Sequence, residues 1–129
     1  MNARERFLAV MVFQQVAPPK RLLPLFVEGG VTGVYPFEVM SGMNVVEVRR
    51  AFPTLQILGG LDKTALAKSP GEIESALEGV PWMLGQRGYI PYVDHFVPPD
   101  APWQNLAYYR RRLNGLIDEI GSRPEETVR

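Results

Sequence analysis

Three acidic residues and the only histidine of the chain each follow a short stretch with the composition of a buried strand. They are Glu38, Asp62, Asp94 and His95. The carboxyl ends of parallel strands meet at one edge of a sheet, so these side chains are predicted to share a rim. There they could bind a polar ligand or relay a proton, since imidazole titrates near neutral pH. Alternatively, His95 is a loop residue paired with Asp94, and Asp62 is a turn residue that caps the segment at Thr64.

The strands that would position these side chains are indicated by short runs of β-branched and aromatic residues. They span residues 31–36, 55–58 and 89–93, and Pro91 lies inside the third, where it cannot donate to a ladder. Helical spacing of apolar residues fills the intervals. The predicted helices span residues 3–13, 22–28, 45–52, the interval between Ser69 and Gly88 with a kink at Pro81, and 102–120. Strands alternating with helices are typical of βαβ units on a parallel sheet, so the fold class is α/β.

Polar residues mark where two of the helices begin. Asn44 is a predicted N-cap, because its side-chain oxygen can accept from a free backbone N–H. Ser69 is a second N-cap, followed by Pro70, which suits a first turn, and by Glu72 at the capping-box position. Both signals are local in the sequence.

The charge balance and the lack of cysteine exclude several classes of function. Lys plus Arg and Asp plus Glu number 14 each, so no basic field exists to hold nucleic acid or an anionic membrane. Without cysteine there is no disulfide framework, thiolate metal site or thiol nucleophile, which fits a cytoplasmic protein. No apolar run approaches the roughly 20 residues that span a bilayer, and Glu5 argues against a signal peptide.

Three stretches, taken together and in order, resemble the uroporphyrinogen decarboxylase family and its corrinoid methyltransferase relatives. Residues 22–39 resemble a helix and strand that end in a Pro-x-Glu segment, and residues 58–63 are similar to the family's Gly-Gly-x-Asp-Lys turn. Residues 88–100, with the aromatic and polar residues of 103–109, resemble the last strand and its following loop and helix.

The resemblance implies a TIM-barrel-like fold, a partial (β/α)₈ barrel with about three parallel strands and flanking helices. Residues 1–17 would form an N-terminal helical segment similar to the helix with which such proteins begin. Residues 18–121 would form the C-terminal barrel fragment, and residues 122–129 a flexible tail. Three strands cannot close a barrel that usually takes about 250 residues. We therefore expect the family's middle portion to be missing and the sheet edges to be open.

The resemblance also implies a chemistry, the decarboxylation of acetate side chains on a tetrapyrrole. No cofactor is needed, because the substrate supplies its own electron sink. His95 matches the histidine after the family's last strand, in the substrate cleft, and is the catalytic candidate. The candidate substrate-binding residues are Glu38, Asp62, Asp94 and Tyr92. Glu38 could instead bridge to an arginine outside this fragment, and Tyr92, like Tyr89 and Trp103, could serve packing alone.

The chain departs from the family in the groups that drive the reaction. It has no counterpart of the arginines that gather the substrate carboxylates or of the aspartate that faces the pyrrole nitrogens, since Arg4 and Arg6 lie in the opening helix. The zinc ligands of the methyltransferase relatives include cysteines, so no metal site is expected here. We therefore expect the chain to be inactive alone. Two alternatives stay open: a non-catalytic fragment that pairs with a second copy or a barrel half, and a module that binds a tetrapyrrole or another carboxylate.

Overall fold

The computed structural model describes residues 21–122, which form a mixed α/β unit around an open sheet of three parallel strands. In sequence and in space the order is β1 (Gly33–Phe37), β2 (Gln56–Gly59) and β3 (Tyr89–Ile90). The predicted class, three parallel strands with flanking helices, is confirmed. The predicted helix over residues 3–13 and nearly all of the tail over 122–129 lie outside the described residues.

The helices of the described part of the chain fill the intervals between the strands. The α-helices are α1 (Leu23–Glu28), α2 (Val45–Ala51), α3 (Pro70–Leu77), α4 (Val80–Leu84) and α5 (Trp103–Gly121). Two 3-10 helices, Val39–Ser41 and Lys63–Ala67, follow β1 and β2. Both predicted caps are confirmed: the Asn44 side chain accepts from the N–H groups of Val46 and Glu47, and the Ser69 hydroxyl accepts from that of Glu72.

Two predicted elements differ in the structure. The single helix expected between Ser69 and Gly88 is two helices, separated at residues 78–79, and Pro81 lies in the first turn of α4 rather than at a kink. Proline suits a first turn because its N–H is not needed there. The third strand has two residues instead of five, since Pro91 ends the ladder. Parallel pairing resumes only at the single bridge between Leu61 and Val93.

One face of the sheet packs against helices. Val34 pairs with Ile57 and Ile57 with Tyr89, so three buried side chains lie side by side across the strands. They share a core with Leu23 of α1 and Met83 of α4. A second core lies under α5, and its members are Leu61, Ala65, Leu66, Ile73, Leu77, Val80, Tyr109 and Leu113.

The other face of the sheet is less covered within residues 21–122. Successive side chains of a strand point to opposite faces, so Tyr35, Leu58 and Ile90 alternate with the buried row. Leu58 pairs with Ile90 across the sheet, and Ile90 is 57% exposed.

Candidate functional site

A cavity of about 320 Å³ opens where β1 and the segment after β3 end. The carboxyl ends of parallel strands are where loops converge and ligands bind in barrels and open α/β sheets. Aromatic and apolar side chains make up most of the wall. The lining residues are Tyr35, Pro36, Tyr92, Val93, Asp94, His95 and Phe96.

Two tyrosines form one side of this cavity. The rings of Tyr35 and Tyr92 lie 6.1 Å apart between centroids, tilted by 53°. Burial raises the pKa of Tyr92 above its usual 10, with a further increase from the neighbouring Tyr35. The Tyr92 hydroxyl therefore keeps its proton at neutral pH. Together the rings offer apolar faces against which a flat molecule can stack.

His95 lies on the outer side of the same cavity and is exposed. Its ring contacts that of Phe96 edge to face, with centroids 5.0 Å apart and planes at 84°. Among the described residues it has no hydrogen bond to Asp94, so the alternative of a His95–Asp94 pair is not what the structure shows. The imidazole is therefore accessible to a ligand in the cavity.

Asp94 is buried behind His95, with no exposed surface. Its Oδ2 accepts from the N–H of Val39 over 2.8 Å, and its Oδ1 accepts from that of Lys63 over 3.2 Å. Each oxygen of the candidate substrate-binding carboxylate is thus engaged by the backbone. The sequence places Asp94 after the third strand, but its partners lie too far away in the chain for any local pattern to predict them.

Asp62 caps the second 3-10 helix. Its Oδ1 accepts from the N–H of Thr64 over 2.8 Å and from the Thr64 hydroxyl over 2.7 Å, which is the turn alternative raised from the sequence. The side chain lines a different cavity, of about 480 Å³, which also contains Glu47 and Glu78. Asp62 therefore does not join His95 at one ligand site.

Glu38 lies between β1 and the first 3-10 helix and lines neither of these two cavities. Its carbonyl accepts from the hydroxyl of Ser41 over 2.7 Å. The arginine to which Glu38 could bridge was expected outside this fragment, so that alternative stays a prediction. The two aromatic residues considered beside Tyr92 lie outside both cavities, since Tyr89 belongs to the core and Trp103 is exposed on α5.

The structure thus brings three of the five candidate residues, Tyr92, Asp94 and His95, to one cavity. Tyr35, Pro36 and Phe96 also line it and were not singled out from the sequence. Tyr35 and Pro36 stand within the first predicted strand, and only their position at its carboxyl end could have indicated a role. Phe96 directly follows His95, in the loop that leaves the third strand.

Fold and site define an α/β unit with a small aromatic cavity at the strand ends. Protein-family models, curated proteins and solved structures, compared with this chain, give no match. Within residues 21–122 no group of three His, Asp or Glu side chains is placed to hold a metal ion. None of the helices in that range is both long and apolar enough to cross a membrane.

Proposed function

We propose that this chain is a C-terminal portion of a uroporphyrinogen decarboxylase-type barrel whose strand-end cavity binds a flat, polar molecule of the tetrapyrrole class. One observation carries the proposal: Tyr35, Tyr92, Phe96 and His95 line a single cavity at the carboxyl ends of parallel strands. Aromatic faces favour stacking on a macrocycle, and an accessible imidazole can exchange a proton with it.

Decarboxylation of a tetrapyrrole acetate side chain requires catalytic groups in addition to a binding site. The bond between an acetate methylene and its carboxyl carbon breaks, carbon dioxide leaves, and the electron pair passes to a protonated pyrrole. A proton then adds to the methylene carbon in place of the lost carboxyl, and the proton on the ring leaves to restore the pyrrole. An acid must stabilise the pyrrole cation, and a donor such as His95 must supply the final proton.

Among the described residues, His95 is the candidate for the proton donor, and no carboxylate is placed in the same cavity with a free oxygen to stabilise the cation. Both oxygens of Asp94 accept backbone N–H groups, and Asp62 lies in another cavity. The described sheet also has three strands, whereas a closed (β/α)₈ barrel has eight. We therefore propose binding without turnover by this chain alone. Purified chain that converts uroporphyrinogen under reducing conditions would contradict the second half of this proposal.

Binding is tested with uroporphyrin, an oxidised and coloured tetrapyrrole, by titration followed through the absorbance of the porphyrin itself. Phe96 is 84% exposed and lines the cavity, so Phe96→Ala leaves the fold intact and removes one wall. We expect it to weaken binding roughly 2- to 10-fold, the range that corresponds to an aromatic contact of about 0.5–1.5 kcal/mol.

Trp103→Ala is the matched control, because Trp103 is 74% exposed and lies outside the cavity. It should bind uroporphyrin as the unsubstituted chain does. Equal affinity of the Phe96→Ala variant, or an equal loss in the control, would place any porphyrin binding elsewhere on the surface.

A second candidate function, a non-catalytic self-associating unit, is favoured by the open sheet. Tyr35, Leu58 and Ile90 form a weakly covered, uncharged sheet face, and the formal net charge of the chain is zero. A second copy could lie against it without charge repulsion. Light scattering should then show a dimer that Ile90→Lys dissociates and Leu25→Lys, an equally exposed site on α1, does not. A monodisperse monomer would exclude this candidate.

A further inference from the structure

A single carboxylate connects the loops that follow all three strands. Asp94, just after β3, accepts from Val39 and Lys63, which precede it by 55 and 31 residues. The backbone N–H of Asp94 donates to the carbonyl of Leu61 over 2.8 Å. The carboxylate is fully buried, so these bonds replace the water that it would otherwise bind.

We infer that Asp94 is the positioning residue of the strand-end cavity and that it sets where the imidazole of His95 lies. His95 is the next residue along the chain, and its ring packs edge to face against that of Phe96. The backbone just before His95 is bonded to Leu61, and the side chain of Asp94 adds the two bonds that connect it to the loops after β1 and β2. This inference rests on the proposed function only in treating His95 as the residue that meets the ligand.

The hydrogen bond from Val39 to Asp94, at 2.8 Å, has the length of a strong bond, and the bond from Lys63, at 3.2 Å, is longer. A carboxylate that accepts from backbone N–H groups forms charge-assisted bonds, about twice as strong as those between neutral groups. Val39 and Lys63 each occupy the first position of a 3-10 helix, where the N–H has no partner inside the helix. Asp94 thus accepts from the first N–H group of both 3-10 helices and connects these helices to the loop that carries His95.

The same geometry allows each bond to be removed at its donor. Proline is tolerated at a first helical position, and the residues before these positions, Glu38 and Asp62, already have the extended backbone that proline requires. Val39→Pro and Lys63→Pro therefore delete one N–H each and leave Asp94 unchanged. Val39→Ala and Lys63→Ala are the matched controls, because they keep the N–H.

The readout is the ring of His95 in two-dimensional ¹H–¹³C NMR spectra, which contain the signals of one histidine only. We expect the His95 ring signals to shift and broaden in both proline variants and to stay in place in both alanine variants. Asp94→Asn should shift them too, since the amide can accept from one N–H but presents its NH₂ group to the other. Asp100→Asn, an exposed change in the same loop, should not.

A loss of stability without movement of the His95 signals would reduce Asp94 to a structural role and overturn the inference. The unsubstituted chain offers an independent check, because the amide protons of Val39 and Lys63 must exchange slowly with solvent. Rapid exchange at both would also overturn it. These spectra are recorded without ligand, so a failure to bind uroporphyrin leaves their outcome intact.

Discussion

Gly60 lies against Val45 so closely that a methyl group on its α-carbon would overlap Cγ1 of Val45. The same methyl group would come within 3.3 Å of Cδ1 of Phe37, a fully buried ring at the end of β1. Gly60 also has a φ of +82°, in the left-handed region. The turn after β2 therefore depends on glycine for both its conformation and its packing.

We expect Gly60→Ala to lower the free energy of unfolding by about 2–5 kcal/mol, from left-handed strain of about 1–2 and overpacking of about 1–3 kcal/mol. Gly115→Ala is the control, because Gly115 lies inside α5 with no atom within 4 Å of the added methyl group. It should raise stability by about 0.5–1 kcal/mol. Urea unfolding followed by circular dichroism measures both, and a neutral Gly60→Ala would contradict the packing described here.

The buried guanidinium of Arg49 leads to a second prediction. Arg49 is 3% exposed; its Nη1 donates to the carbonyl of Pro53 over 2.7 Å and its Nη2 to that of Gly88 over 3.0 Å. It thereby joins the end of α2 to the loop before β3. Burial lowers the pKa of Arg49 below its usual value, yet an arginine stays charged.

Arg49→Met should destabilise the fold by about 1–3 kcal/mol, because two carbonyl groups lose their donor. Removal of a buried charge offsets part of this loss. Arg111→Met, on the exposed side of α5, should stay within about 0.5 kcal/mol of the unsubstituted chain. Thermal unfolding distinguishes the two, and equal midpoints would mean that the bonds of Arg49 contribute nothing net.

The sequence predicted what is set by near neighbours. Asn44 and Ser69 bond N–H groups two or three residues away, so their capping could be predicted from spacing alone. The end of β3 was predicted too late, at residue 93, although Pro91 lacks the N–H that a longer ladder needs. The division between α3 and α4 was missed, because a proline two residues into a helix and a proline that kinks one have the same local pattern.

The candidate site was predicted less completely, for a physical reason. Position after a strand placed Asp94 and His95 at the correct rim. Position alone could not predict that Asp94 is buried and His95 exposed. That difference depends on the N–H groups of Val39 and Lys63, which reach Asp94 only once β1, β2 and β3 pair. Asp62 shares the rim by position, but its bond to Thr64 turns it to another cavity.

A cluster on the helices predicts a dependence on acid pH. Glu74 of α3 accepts from Arg112 Nε over 2.7 Å and from the Tyr108 hydroxyl over 2.7 Å, so it joins α3 to α5. The bond from Arg112, followed by that from Tyr108, holds the pKa of Glu74 below its usual 4.5. When the pKa of a carboxyl group is lower in the folded chain than in the unfolded chain, its ionised form stabilises the fold at any pH above the ordinary pKa. That contribution is lost as the pH falls through the folded pKa.

Glu74→Gln should therefore lower the unfolding midpoint slightly at pH 7. The difference in midpoint between this variant and the unsubstituted chain should shrink as the pH falls below the pKa of an ordinary carboxyl group. The effect is small because the side chains of Arg112 and Glu74 are 45% and 40% exposed. Glu78→Gln, an exposed change beyond the end of α3, should show no such trend. A difference between Glu74→Gln and the unsubstituted chain that is constant with pH would contradict the ion pair.

The Tyr89 hydroxyl is buried without a hydrogen-bond partner among the described residues, so its removal should not harm the fold. We expect Tyr89→Phe to raise the free energy of unfolding by up to about 1 kcal/mol, since an unsatisfied polar group leaves the core. Tyr108→Phe, which removes a bond to Glu74, should lower it.

Burial raises the pKa of Tyr89 above its usual 10, so the unfolded chain loses this proton first and stability falls as the pH rises past 10. Unfolding midpoints between neutral and alkaline pH should decline less in Tyr89→Phe, and an identical decline would show that this hydroxyl is already solvated in the folded chain.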